Sequence, residues 1–164
     1  MTDQNMATLS DEVIAEIDRW VAKYPEGKQR SAVMQALMIV QEDNGGWLTG
    51  PLMNAVAKHL HMPSVAVLEI ATFYSMYEHK PVNKHKISIC TNVSCQLKGA
   101  MDVVEALEKK CQTKMGGNSS CGKYTLREVE CLGACIGAPV LQVNKDYVEN
   151  VSPEDIDKIL EGLA

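Results

Sequence analysis

Apolar residues in the first half of the chain recur at helical spacing. In the second half they switch between helical and strand spacing. Ser10 stands where it would cap a helix whose first turn holds Asp11 and Glu12, carboxylates that suit the positive end of a helix dipole. Leu9 and Ile14 occupy hydrophobic-staple positions, Ile14, Ile17 and Val21 mark one face, and Pro25 stops the helix. A second helix is predicted over 28–43, with Val33, Ala36, Leu37 and Val40 at i, i+3, i+4, i+7 and Gly45-Gly46 ending it. A third covers 51–61 (Leu52, Ala55, Val56, Leu60). A fourth starts near Pro63-Ser64 and carries Val67, Ile70, Ala71 and Tyr74. Trp47, beside the diglycine, is expected at the rim of this group.

Around residues 78–85 the chain turns polar and Pro81 intervenes, which places a boundary there. Beyond it, 86–91 alternates as a strand with Ile87 and Ile89 on one face. The segment 96–111 reads as a helix with Ala100, Val103, Val104 and Leu107 in its stripe. Residues 114–122 are rich in glycine and serine and read as loop; 124–130 and 140–143 read as strands. Ser152-Pro153-Glu154-Asp155 is a helix start, followed by Ile156, Ile159, Leu160 and Leu163. The fold class is therefore α/β (α+β). A four-helix bundle over 1–79 precedes an 80–164 domain of order β-α-β-β-α, which fits a small thioredoxin-like layer.

Composition narrows the function. The 164 residues are 46% apolar and 23% charged, with a formal charge of −5. No basic stripe interleaves with aromatics, so nucleic acid is not an expected partner. No apolar run reaches the roughly 18–20 residues of a membrane span, which predicts no membrane insertion. Residues 1–6 lack the basic and apolar regions of a signal peptide, which argues for the cytoplasm and for reduced thiols. No GxGxxG fingerprint is present, so the chain alone is not expected to bind a dinucleotide.

The six cysteines carry the chemistry. Cys90 and Cys95 flank the end of one strand and the start of the next helix. Cys131 and Cys135 follow another strand. In an open α/β sheet, ligands gather beyond the carboxyl ends of the strands, so both pairs are predicted on one edge. Free N–H groups at the helix end near Gln96 would favour an anionic centre there. Gly99, Gly133 and Gly137 would let the backbone approach the sulfurs. Four thiols suit either a zinc ion or a 2Fe–2S cluster, one pair for each iron. From spacing alone the cluster is preferred over zinc, because the helices and strands already supply a core. A redox dithiol stays as the third reading. Cys111 continues a helix stripe and reads as a buried thiol; Cys121 lies in the glycine-rich loop. His59, His61, His79 and His85 do not pair with the cysteines by spacing, which disfavours a mixed His/Cys site. Lys98 reads as a solvated lysine.

Cys90-Thr-Asn-Val-Ser-Cys95-Gln-Leu-Lys-Gly99-Ala and Val129-Glu-Cys131-Leu-Gly-Ala-Cys135-Ile-Gly-Ala-Pro139 resemble the small 2Fe–2S subunit of NADH:quinone oxidoreductase, complex I (the NuoE type). Ala71-Thr72-Phe73-Tyr74 and Ser152-Pro153-Glu154 resemble further signatures of that family, and the likeness runs from about Ser10 to the end. It implies Cys90, Cys95, Cys131 and Cys135 as ligands of one 2Fe–2S cluster, and a helical bundle joined to a thioredoxin-like domain. It also implies a flavoprotein partner that holds FMN and NADH, in a peripheral arm on the cytoplasmic side. The same module occurs in NAD-linked hydrogenases and formate dehydrogenases. A cluster that serves only as a structural clamp is the non-catalytic alternative. Two differences from the family stand out. The loop 115–124 lacks the usual Asp-Gly turn, and Ile136-Gly137 replaces more polar residues after the last ligand. Phe73 and Tyr74 read equally as partner contacts or as core.

Overall fold

The computed structural model describes residues 7–163. The N-terminal hexapeptide, considered for a targeting signal, lies outside the described residues. The chain divides into two compact units between Pro81 and Val82. Among the described residues no helix is long and apolar enough to cross a membrane.

The first unit contains α1 (Asp11–Val21), α2 (Val33–Asp43), α3 (Gly50–His59) and α4 (Ser64–Phe73). Each short helix gains its stability from one shared core, in which Ile17, Ala36, Leu37, Val56, Val67 and Ala71 are fully buried. Ser10 caps α1, its Oγ accepting from the Val13 N–H at 3.3 Å, and Leu9 packs on the core as the staple requires. The buried face of α1 is Val13 and Ile17, with Ile14 half-buried, one position earlier than the spacing suggested. The start of the expected second helix, Gln29–Ala32, is a 3₁₀ turn leading into α2. Thr49 caps α3, its Oγ1 accepting from the Leu52 N–H at 3.2 Å. Trp47 is half-buried, and its neighbour Leu48 enters the core instead. α4 stops at Phe73 and Tyr74 leaves it extended, so Tyr74 is not part of the helix face. Tyr77 closes the core in its place: it is buried, and its hydroxyl donates to the Met34 carbonyl at 2.8 Å.

The second unit is a mixed four-stranded sheet built from β1 (His85–Cys90), β2 (Tyr124–Val129), β3 (Leu141–Val143) and β4 (Asp146–Val148), in the order β2-β1-β3-β4. β1 and β2 are parallel, with Ile87 opposite Leu126 and Cys90 opposite Val129. β3 is antiparallel to both β1 and β4. Between β1 and β2 run α5 (Val93–Leu97) and α6 (Ala100–Cys111); α7 (Asp155–Glu161) closes the chain. One core joins sheet and helices through Ile87, Ile89, Leu107, Leu126, Leu141 and Ile156. The helix expected over 96–111 is thus two helices. Gly99, at φ 92, sits in the left-handed region between them, where a side chain is disfavoured. β4 was not anticipated; Asn144, at φ 54, turns the chain from β3 into it.

Candidate metal centre

Because β1 and β2 are parallel and in register at Cys90–Val129, the loops that follow them leave the sheet at the same edge. The first loop carries α5, capped by Asn92, whose Oδ1 accepts from the Val93 N–H at 2.9 Å; Cys95 is the third residue of this helix. The second loop carries Cys131 and then Cys135, which opens a 3₁₀ turn, Cys135–Gly137. Backbone bonds close the loop against β1. The Cys90 N–H donates to the Val140 carbonyl at 3.1 Å, and the Thr91 N–H donates to the Val129 carbonyl at 3.1 Å. The Tyr147 hydroxyl of β4 donates to the Leu132 carbonyl at 2.9 Å, tying the tip of the loop to the sheet.

All four predicted ligand positions come to this edge. Cys90 and Cys95 are buried, in an apolar pocket with Ala100, Ala138 and Val140, and Val129, Leu132 and Ala134 pack against it. Cys131 and Cys135 are exposed above them. The thiols sense one another. Burial opposes ionisation of Cys90, but the N–H groups of Asn92 and Leu132, with hydrogen bonds to Cys95 and Cys131, outweigh it and hold the thiol below its ordinary value. Burial pushes Cys95 up. Its hydrogen bond to Cys90 and the charges of Cys90 and Cys135 add to this, while the Val140 N–H works in the opposite sense. The Gly133 N–H donates to Cys131 Sγ at 3.3 Å. Among the described residues no three His, Cys, Asp or Glu groups close on a single metal ion. A two-iron cluster makes a different demand, two thiolates for each of two irons.

Three details depart from the sequence reading. The Gln96 N–H is not free: it donates to the Asn92 carbonyl at 2.9 Å inside α5. The N–H groups that face sulfur belong instead to Asn92, Leu132, Val140 and Gly133. The first three carry no compositional signal, because any residue supplies a backbone donor. Second, Gly99 serves the helix break, and Gly137 lies under Glu149, where a Cβ would fall 2.6 Å from Glu149 Cδ. Third, both Phe73 and Tyr74 are exposed, at 80% and 40%, so neither is core.

The remaining candidates lie elsewhere. Cys111 is buried in the main core of the unit, as its stripe predicts, and Cys121 is exposed beside Ser119. His85 begins β1 at the end opposite Cys90, about 16 Å along the strand. His59 pairs with Asp18 at 2.7 Å in the first unit, and His79 Nε2 bonds the Ala71 carbonyl at 2.9 Å. Lys98 is exposed at the end of α5.

Residues 17–164 match the family described as thioredoxin-like [2Fe-2S] ferredoxin. The chain belongs to that family. Among its relatives, the NADH-quinone oxidoreductase E subunit of Rickettsia conorii is 40% identical over 98% of this chain and 92% of its own length. The second of the numbered NADH-quinone oxidoreductase E subunits of Rhizobium meliloti is 41% identical over 90% of this chain and 86% of its own. The crystal structure of an NAD+-reducing [NiFe]-hydrogenase superposes with a TM-score of 0.66 at 16% identity, over 77% of this chain and 22% of that one, a likeness of fold. The group that this thioredoxin-like ferredoxin family implies is a 2Fe–2S cluster. The donor chemistry fits it: four thiols at the ends of β1 and β2 and in the segments that follow them, two of them buried among apolar side chains, with backbone N–H groups turned toward sulfur.

Proposed function

We propose that this chain is the iron–sulfur electron-transfer subunit of an NADH:quinone oxidoreductase, with Cys90, Cys95, Cys131 and Cys135 as the ligands of its 2Fe–2S cluster. The observation that carries the reading is the meeting of two cysteine loops at one edge of the β1/β2 pair, in a chain whose relatives bear that enzyme's name over nearly their whole length. When bound, the cluster supplies one-electron transfer. The chain's own residues would do the rest. Cys90 and Cys95 anchor the inner side in an apolar pocket that excludes water. Cys131 and Cys135 hold the outer side, at the surface where a partner can approach. Backbone donors at Asn92, Leu132, Val140 and Gly133 offset the negative charge of the thiolates.

On this reading FMN and NADH reside on a flavoprotein partner, since this chain offers no dinucleotide fingerprint of its own. The subunit works in a peripheral arm on the cytoplasmic side. Residues 1–79 act as a four-helix bundle and 80–164 as the cluster domain; the shared core of α1 to α4 supports the first of these. The test is iron analysis of the purified chain and two variants. Wild type carries two irons per chain, Cys131→Ala loses them, and Cys111→Ala keeps them. Stoichiometric zinc without iron, or equal iron retention in both variants, overturns the assignment. Reduction by NADH only when the flavoprotein is present separates a carrier from a structural clamp.

A further inference from the structure

The turn that carries Cys135 is locked to the segment between β4 and α7. The Asn150 N–H donates to the Gly137 carbonyl at 2.6 Å, and the Val151 N–H donates to the Pro139 carbonyl at 3.1 Å. These two bonds fix Glu149 directly over Gly137, two residues after Cys135. A Cβ built on Gly137 would fall 2.6 Å from Glu149 Cδ and 2.7 Å from its Cβ. Only glycine leaves room for the Glu149 side chain to lie on this turn. Among the described residues the Glu149 carboxylate has no ion-pair partner to neutralise it. Ile136, between Cys135 and Gly137, is wholly exposed and contributes no charge. The turn beside the outer thiols therefore carries one fixed negative charge, supplied from another part of the chain.

We propose that Glu149 sets the reduction potential of the cluster from outside its ligand shell. The inference rests on the ligand assignment proposed for the four cysteines. Reduction adds one electron to a centre that is already anionic. A carboxylate within about one Debye length (~10 Å) repels that electron and holds the potential down. Glu149 is solvent-exposed, so water screens the effect and keeps it modest. The role is one of tuning: Glu149 is not a ligand.

The experiment is a potentiometric titration of the full-length, iron-loaded chain, followed by electron paramagnetic resonance and visible absorption. Glu149→Gln keeps the shape and removes the charge. At low salt and fixed potential it raises the reduced-to-oxidised ratio about threefold, or ~30 mV at 59 mV per decade for one electron. Glu149→Asp keeps the charge and stays near wild type. Added salt narrows the gap between wild type and Glu149→Gln, a response that lost packing would not give. An iron-loaded Glu149→Gln chain with the wild-type midpoint overturns the inference, as does an equal shift in Glu149→Asp. A wild-type chain without stoichiometric iron overturns the ligand assignment instead, and this inference with it.

Discussion

Cys111 and Cys121 are close enough to feel each other's charge, yet they behave oppositely. Burial pushes the Cys111 thiol up to about 11, with the Cys121 charge adding to it. A hydrogen bond from Ser119 holds Cys121 below its ordinary value, helped by the Lys123 N–H. The thiolate is the reactive form, so the two should separate by rate. Iodoacetamide at pH 7.5, read by peptide mass spectrometry, is expected to label Cys121 at least about a hundredfold faster than Cys111. Ser119→Ala should slow Cys121 toward an ordinary exposed thiol. Comparable rates for Cys111 and Cys121 in the folded protein would mean that the core around Cys111 opens. The same residue logic explains what could be read in advance at the centre. Thiols are rare, and their spacing declares them. The backbone donors of Asn92, Leu132 and Val140 belong to no residue type, so only the fold reveals them.

At the scale of elements, the periodic segments were legible and the interruptions were not. Ile87 and Ile89 announce β1, and Val103, Val104 and Leu107 announce α6, because burial on one face writes a period into the chain. The break between α5 and α6 rests on one left-handed glycine, Gly99, and the apolar stripe that announces α6 begins only after it, so the stripe's period carries no mark of the break. β4 escaped because its Asp146 and Tyr147 are exposed, so it has no buried period to show. α7 lies between these cases. Its hydrogen-bonded turns begin at Asp155 with Glu154 at the cap position, so Ser152 is not the cap its sequence predicts; instead the Ser152 hydroxyl and N–H both donate to Asp155 Oδ2, at 2.6 and 2.9 Å. These bonds, the hydroxyl's above all, hold the Asp155 carboxyl below the usual range. A depressed folded pKa contributes stability that is complete above the unfolded value, about 3.9, and is lost as pH falls through the folded value. Ser152→Ala should therefore lower Tm at pH 7, and the gap should narrow as pH falls from the unfolded value through the folded one. A gap that persists undiminished at pH 2 would assign the loss to the helix start rather than to the carboxylate.

At the scale of the whole molecule, each unit owns a complete core, and all four candidate ligands lie in the second. Cluster retention should therefore be independent of the first unit. Partner binding should not be. Exposed apolar side chains occur on both units: Val65, Leu68 and Phe73 on one, and Val93, Leu97 and Ile136 on the other. Where such side chains adjoin in a patch, they mark a contact surface. A fragment of residues 82–164 is expected to fold around its sheet and keep two irons per chain, measured by iron assay and visible absorption. Its affinity for the proposed flavoprotein should fall at least about tenfold relative to the full chain, the loss of roughly 1.4 kcal/mol of contact. Titration of flavoprotein with both forms reads this directly. A fragment that folds but loses iron would make the helical unit a support of the metal centre. A fragment that binds as tightly as the full chain would confine the contact to the edge where Cys131, Cys135 and Ile136 are exposed.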